Sequence, residues 1–149
     1  MADPGSTVTM VRNRREHAMA FAIRGAVFVA EQGVPVELEW DDADDADTTR
    51  QMLAWHATQP VGVGRIVLGP SAGAARIGRL AVLPSARGRG VGAALVRGLE
   101  DLARERGFGM VELHAQVQAL GFYERLGYAV DGPEFDDAGI PHRRMWQRL

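Results

Sequence analysis

A glycine-rich segment between two apolar stretches is the part of the sequence whose residue types and spacing point most directly to chemistry. It reads Arg87-Gly88-Arg89-Gly90-Val91-Gly92-Ala93, follows the apolar residues 76–83 and precedes a helical pattern over residues 90–106. The first N–H groups of a helix lack intrahelical partners, and together with the helix dipole they attract an anion. Glycines let a phosphate approach the backbone, and two arginines add positive charge. The segment therefore predicts a diphosphate-binding site at a helix N-terminus.

A dinucleotide such as NAD is an alternative ligand for this loop. Gly88-x-Gly90-x-x-Ala93 fits the Rossmann fingerprint, and Glu112 follows on a predicted strand, where a ribose ligand is expected. The chain after Glu112 is too short for a second mononucleotide-binding half, however. Residues 84–86 also separate the strand from the loop, whereas the Rossmann turn leaves its strand directly. NAD therefore stays the minor alternative.

Seven strands and three helices are predicted around this loop from hydrophobic periodicity and turn residues. The helices cover residues 14–31, 90–106 and 117–126, and the strands cover residues 7–11, 52–57, 61–68, 76–83, 110–115, 128–130 and 143–148. Asn13 is the expected N-cap of the first helix. Turns are predicted at residues 69–73 and 132–141, and an exposed acidic loop at residues 37–47. This order predicts an α/β fold of the α+β type, with a mixed, mostly antiparallel sheet flanked by helices.

Composition limits both the number of domains and the available chemistry. At 149 residues, with 46% hydrophobic and 24% charged residues, the chain fits one globular domain over residues 1–149. It has no cysteine, and its 17 basic residues are all arginine, which excludes disulfides, thiolate catalysis, a Walker phosphate loop and Schiff-base chemistry. The four histidines lack metal-site spacing, and a net charge of −2 argues against nucleic-acid binding. Without an apolar membrane span or a secretory signal, a cytoplasmic location is expected.

Further segments extend the pattern beyond the loop in a fixed order. They are Arg79-Leu80-Ala81-Val82-Leu83-Pro84, then Arg87-x-x-Gly90-x-Gly92, then Gln116-x-x-Ala119-x-x-Phe122-Tyr123-x-x-x-Gly127-Tyr128. These resemble the central strand, the acetyl-CoA pyrophosphate loop and a helix motif of the GNAT superfamily of N-acetyltransferases, with Gln116 in place of the commoner Asn. The ElaA-like branch of that superfamily is resembled by the acidic stretch, by Gly139-Ile140-Pro141-His142 and by Val27-Phe28-x-x-Glu31-Gln32-x-x-Pro35. The resemblance covers nearly the whole chain.

The resemblance implies a single GNAT-like domain that transfers acetyl directly from acetyl-CoA to a primary amine. It implies that the pyrophosphate is bound by Arg87, Gly88, Arg89, Gly90, Val91, Gly92 and Ala93, and that the pantetheine arm pairs with the main chain of Leu80, Ala81 and Val82. Gln116 and Phe122 are added to the cofactor contacts, although Phe122 also suits a packing role. The hydroxyl of Tyr123 is placed near the CoA sulfur. A tyrosine with a pKa of about 10 stays protonated at pH 7 and can act there as general acid.

The general base stays open among several residues. His114 shares one face of a predicted strand with Glu112, and Glu39 and His142 lie in segments expected to border the acceptor cleft. A histidine titrates in the useful range, and water could also relay the proton. For the acidic loop over residues 37–47, simple solvation is the favoured interpretation. The alternative is that the loop attracts a cationic amine.

A second hypothesis, from a different class, is a non-catalytic acyl-CoA-binding module. It shares the glycine loop with the enzyme hypothesis and differs at Tyr123 and at the acceptor cleft. The enzyme hypothesis implies acetyl-CoA as the bound ligand, the binding module implies an acyl-CoA, and neither requires a metal. The enzyme hypothesis adds an amine acceptor, a small molecule or a peptide, which the sequence does not name. A homodimer is compatible with the resemblance, since dimers are common among similar proteins.

Overall fold

The apolar runs of the sequence form the strands of one mixed sheet. The computed structural model describes residues 6–69 and 73–149, and within these ranges the strands are β1 (Ser6–Met10), β2 (Thr49–His56), β3 (Gln59–Val67), β4 (Ala74–Val82), β5 (Met110–Gln116), β6 (Ala129–Val130), β7 (Phe135–Asp137) and β8 (Ile140–Arg148). Their order across the sheet is β1-β2-β3-β4-β5-β8-β6, with β7 also paired to β8. β4 and β5 run parallel, and the other neighbours run antiparallel. The mixed, mostly antiparallel sheet predicted from the sequence is therefore confirmed.

Four α-helices lie in the described ranges: α1 (Arg14–Arg24), α2 (Val36–Glu39), α3 (Val91–Glu105) and α4 (Leu120–Arg125). α1 begins at the predicted cap, because the side-chain oxygen of Asn13 accepts a hydrogen bond from the Glu16 N–H at 2.9 Å. The helix predicted over residues 14–31 continues after α1 as a π-helix, Gly25–Glu31. At its end the Gln32 N–H donates to the carbonyl of Val27, five residues back. Short 3₁₀ turns occupy Asp42–Asp45, Pro84–Ala86 and Val117–Ala119.

The two faces of the sheet bury different helices. Leu53 on β2 and Val63 on β3 pack in the cluster formed with α1 and the π-helix. Gly62 and Gly64, on either side of Val63, lie beneath α3, as the pleat of a strand requires. A Cβ atom on Gly64 would lie only 2.8 Å from Leu99 Cδ1. Glycine therefore lets α3 approach the sheet, and this fixes the position of the loop at its start.

A hairpin lies inside the segment 132–141 that was predicted to be turn-rich. β7 pairs with β8, which begins at Ile140 rather than at residue 143. The residues between the two strands, Ala138 and Gly139, have φ values of 53° and 79°, the positive values of a type I′ turn. Alanine seldom adopts that conformation, so the sequence lacks the usual signal for this turn. The turn predicted at residues 69–73 includes residues 70–72, which lie outside the described residues.

The prediction of an exposed acidic loop over residues 37–47 is wrong for two of its carboxylates. Arg24 on α1 is fully buried, and its guanidinium donates to Glu39 Oε1 and to Asp44 Oδ1, each at 2.7 Å. The side chains of Glu39 and Asp44 are only 3% and 4% exposed, and Asp44 also binds Arg65 at 3.1 Å. Burial raises the pKa of Glu39. Burial has the same tendency at Asp44, but hydrogen bonds and charge from Arg24 outweigh it and hold the pKa of that carboxyl below its usual range.

Loss of the buried guanidinium should destabilise the protein strongly. Arg24→Met removes the fully buried counter-ion that Glu39 and Asp44 share and leaves them only Arg79 at 3.3 Å and Arg65 at 3.1 Å, and we expect the free energy of unfolding to fall by ~3 kcal/mol. Urea unfolding followed by tryptophan fluorescence measures the loss. Arg15→Met, on the exposed side of the same helix, should change it by less than ~0.5 kcal/mol. Equal losses in the two variants would contradict a stabilising role for the buried network.

Candidate active site

A cleft opens where β4 and β5 separate. The two strands pair only between Ala74–Ile77 and Met110–Leu113, although β4 continues to Val82 and β5 to Gln116. Each strand stays paired on its outer side, β4 with β3 and β5 with β8. The register of β3 and β4 shifts here and Arg79 adopts a φ of 51°, features of a bulge that bends the strand. The resulting cleft has a volume of about 720 Å³.

The edge of β4 that faces the cleft offers main-chain groups for a ligand. The N–H of Leu83 donates to the carbonyl of Val61 on β3 at 2.8 Å. Consecutive strand residues direct their main-chain N–H and C=O groups to opposite sides. Those of Val82 therefore point into the cleft, and those of Ala81 point toward β3. Leu80, Ala81 and Val82, whose main chain is predicted to pair with pantetheine, all line the cleft. This edge can pair with an extended ligand as a further strand would.

The glycine loop carries the chain from β4 to α3 at one end of the cleft. Gly88 and Gly90 have φ values of 78° and 79°, which favour glycine, and Gly90 caps the N-terminus of α3. Arg87 and Arg89 are exposed beside them. The Arg87 guanidinium donates to the carbonyl of Val82 at 2.9 Å and binds Glu31 through two contacts of 2.6 and 2.8 Å. A basic group and helix-terminal N–H groups thus meet at the mouth of the cleft.

In the first turn of α3, main-chain groups rather than side chains are available to a ligand. Val91 is 3% exposed and packs in the core, so only its backbone can reach a ligand. Gly92 faces the ring of Phe122, where a Cβ atom would lie 3.2 Å from Phe122 Cζ. Ala93 follows in the same turn and is half-buried. Gly88–Ala93 do not line the cleft, whereas Arg87 and Phe122 do.

Tyr123 on α4 lines the cleft opposite the edge of β4. The residue is 8% exposed, and its ring meets those of Phe122 and Tyr128 edge-on at centroid distances of 4.9 and 5.9 Å. Burial raises the pKa of Tyr123 far above neutrality, so its hydroxyl carries a proton at pH 7. At the end of β5, Gln116 donates from Nε2 to Gln32 Oε1 at 2.9 Å. Gln116 therefore links β5 to the segment that follows the π-helix.

Two imidazoles line the cleft, and both contact the ring of Phe135. His142 on β8 is 9% exposed, and its Nδ1 lies 2.7 Å from the carbonyl oxygen of Ile140. A carbonyl can only accept, so in the neutral ring Nδ1 carries the proton and Nε2 keeps a lone pair. Phe135 stacks on His142 at 5.9 Å and meets His114 on β5 edge-on at 5.0 Å. Burial, followed by the charge of Arg76, lowers the pKa of His114.

The two carboxylates considered as bases are engaged elsewhere. Glu39 lines the cleft, but its carboxylate binds Arg24 at 2.7 Å and Arg79 at 3.3 Å. Glu112 lies between Arg76 and Arg144 at 2.9 and 2.8 Å. Burial opposes ionisation of Glu112, but the two guanidinium groups prevail and lower its pKa. Either carboxylate would have to leave its arginine partners before accepting a proton.

Several residues that line the cleft were not predicted as site residues. Among them are Leu38 on α2, and Asp137 and Ile140 on either side of the β7–β8 turn. The signal that could have found the last two is the alternation of Phe135, Asp137, Ile140 and His142 across a hairpin, which was hidden by the unusual turn. Among the described residues, no group of three or more histidine and acidic side chains is arranged to hold a metal ion. Within the same ranges, no helix has the length and apolarity needed to cross a membrane.

Comparison with known proteins identifies the family to which this fold and this cleft belong. The family model described as "Acetyltransferase (GNAT) domain" matches residues 26–149. The chain therefore belongs to the GNAT family of acetyltransferases, and the predicted enzyme class is confirmed. It is 37% identical over 137 residues to the uncharacterized N-acetyltransferase YjcF of Bacillus subtilis (strain 168), covering 91% of this chain and 95% of the relative.

Two solved structures share the fold. Escherichia coli ElaA superposes with a TM-score of 0.84 at 24% identity, covering 99% of each chain. An aminoglycoside 6'-N-acetyltransferase complexed with coenzyme A superposes with a TM-score of 0.77 at 15% identity, covering 95% of this chain and 96% of that one. The likeness to the GNAT family and to ElaA expected from the sequence is confirmed.

The glycine loop predicts how the protein responds to coenzyme A. A ligand bound only by the native state raises the thermal midpoint, and we expect coenzyme A to do so. Gly90→Val should abolish this shift, because the φ of 79° at Gly90 is unfavourable for valine and the side chain would stand among the loop N–H groups. Gly109→Val, at an exposed glycine without positive φ and with open space around it, is the control and should keep the shift. A folded Gly90→Val protein with a full shift would remove the loop from the cofactor site.

Proposed function

We propose that the protein transfers the acetyl group of acetyl-CoA directly to a primary amine. The observation that supports this best is the edge of β4 that no strand covers, in a cleft that Tyr123 and His142 also line. A thioester lying along that edge would share the cleft with a proton donor and a proton acceptor. The described residues contain no cysteine or lysine that could form a covalent acetyl intermediate, which favours direct transfer.

Binding of acetyl-CoA would use the loop and the strand together. The helix-terminal N–H groups around Gly90 and the guanidinium of Arg87 suit the pyrophosphate. The edge of β4 at Val82 suits the amide groups of pantetheine, since two extended chains pair through their backbones, and the Val82 carbonyl would exchange its Arg87 donor for a pantetheine N–H. Arg87 would exchange its contact with Glu31 for one with phosphate, a change that its exposed position permits.

The transfer step needs stabilisation of negative charge on the thioester oxygen and a proton for the leaving sulfur. A main-chain N–H of β4 aimed into the cleft can donate to the developing oxyanion at little reorganisation cost. As the C–N bond forms and the C–S bond breaks, Tyr123 donates its proton to the thiolate. The raised pKa of Tyr123 makes its hydroxyl a weak acid, but ensures that the hydroxyl carries its proton at the start of each catalytic cycle.

The amine must lose a proton before it can attack, and we assign this step to His142. The Ile140 carbonyl holds the Nδ1 proton, so the lone pair of Nε2 is available as the base. An ammonium acceptor loses two protons in all. One leaves through His142 to solvent, and the other replaces the proton that Tyr123 gives to sulfur. The products are therefore the amide, the CoA thiol and one proton.

Tyr123→Phe tests the general acid, because it removes one hydroxyl and little volume. We expect the rate constant of single-turnover acetyl transfer to fall by about 10- to 100-fold. This is the low end for acid–base catalysis, since a thiolate leaves readily without help. The CoA-induced thermal shift should stay unchanged. The matched control is Tyr128→Phe, which removes the hydroxyl that donates to buried Glu100 at 2.7 Å. It should lower stability and keep the rate, whereas a wild-type rate in Tyr123→Phe would take Tyr123 out of the mechanism.

His142→Gln tests the base in the same assay. We expect kcat to fall by about 100-fold, with coenzyme A binding retained, because no side chain would then accept the proton of the amine. His17→Gln, on the exposed side of α1, is the control and should behave as wild type. If His142→Gln transfers acetyl at the wild-type rate, the proton must leave by another route, through His114 or water.

A further inference from the structure

The β7–β8 hairpin presents one of its faces to the cleft. Phe135 pairs with His142 across the two strands, and Asp137 pairs with Ile140. Alternate residues of a strand share a face, and so do directly paired residues. These four side chains therefore lie on one face, and Asp137, Ile140 and His142 line the cleft. Asp136 lies between Phe135 and Asp137 and belongs to the opposite face.

Asp137 differs in its charge environment from the other carboxylates of the cleft. Glu31, Glu39 and Asp41 also line it, and each is bound to at least one arginine. Asp137 has no arginine partner within the described ranges, and it is exposed. Its charge reaches His114, where it opposes the lowering of the imidazole pKa by burial and by Arg76. A negative charge without an arginine partner thus acts on His114 and shares one hairpin face with His142.

The cleft arginines are already committed to carboxylates. Arg65 binds Asp41 at 2.7 Å and Asp44 at 3.1 Å. Arg79 binds Asp41 at 3.1 Å and also contacts Glu39. A carboxylate on the acceptor would have to displace one of these pairs, so the cleft is unfavourable for a zwitterion.

Apolar side chains also line the cleft. Leu38 on α2 is 52% exposed although it is a large hydrophobic residue, and Ile140, Phe28 and Val34 line the same cleft. Exposed apolar surface of this kind gains free energy when an apolar ligand group covers it. A polar group of the acceptor that lies against these apolar side chains would lose hydration without gaining a partner from them.

We infer that the acceptor is an apolar primary monoamine, whose ammonium group is bound by Asp137 and whose carbon chain contacts Ile140 and Leu38. This inference rests on the proposed function, because it places the nitrogen beside His142 Nε2. After His142 takes a proton, the C–N bond forms and the C–S bond breaks as in the transfer described above. One carboxylate suits one ammonium group, and the apolar wall suits neither a second charge nor a carboxylate.

An acceptor panel tests the substrate class. Thiol release from acetyl-CoA is followed with propylamine, hexylamine, hexamethylenediamine and leucine. We expect kcat/KM to rise from propylamine to hexylamine by about fourfold for each methylene group that contacts the wall. Hexylamine should exceed both hexamethylenediamine and leucine by at least about tenfold. A diamine or an amino acid that matches or exceeds hexylamine overturns the inference, while transfer to it still supports the proposed function.

A pair of charge-neutralising variants tests the residue. Asp137→Asn should raise KM for hexylamine by about tenfold, the effect of losing a hydrogen bond to a charged group. Its kcat and its CoA-induced thermal shift should remain those of wild type. Asp136→Asn makes the same change of charge on the opposite face of the same strand, and its KM should not change. Equal KM values for the two variants overturn the assignment of Asp137.

Different results would contradict the proposed function and the acceptor inference. If no amine in the panel releases thiol while coenzyme A still raises the thermal midpoint, the proposed function fails and the acceptor inference fails with it. If amines are acetylated but chain length and Asp137→Asn have no effect on KM, only the acceptor inference fails.

Discussion

The bend in β4 at Arg79 is the constraint on which the cleft depends. A left-handed backbone at a residue other than glycine costs about 1 kcal/mol or more, so the surroundings must hold it. They do so through the side chain, which donates to the carbonyl of Glu39 at 3.1 Å and to Asp41 Oδ2 at 3.1 Å. Without the bend, β4 would continue to pair with β5, and the main-chain edge at Val82 would be occupied by protein.

The acidic segment after α2 is therefore part of the site, although its carboxylates act on protein groups rather than on a substrate. Arg24, Arg65 and Arg79 reach it from α1, β3 and β4 and tie three elements to one short stretch of chain. Buried ion pairs contribute little net stability compared with apolar packing, but a missing partner is costly. The network thus favours one arrangement of α2 over others, and this holds Leu38 at the cleft.

Local signals predicted much of the fold, and long-range contacts account for what was missed. Periodicity located β2 to β5, α3 and the glycine loop, because each is encoded within a few residues. The partners of Arg24 lie 15 and 20 residues along the chain, so its ion pairs depend on tertiary structure. In the site, Tyr123 could be proposed from a motif. His142 could not be separated from His114 and Glu39, because its distinguishing contact with Ile140 forms in a hairpin closed by an atypical alanine.

The permanently charged cations of this cleft are all guanidinium groups, and this affects whether the protein can acetylate its own side chains. A guanidinium does not lose its proton in proteins and has no lone pair to offer an activated acyl group. A lysine at the place of Arg65 or Arg79 would put a primary amine on the wall of the cleft in which we propose that primary amines are acetylated. With arginine in these positions, the protein has its positive charges without offering its own wall as an acceptor. The wall of the cleft therefore offers no primary amine of its own to the reaction that we propose.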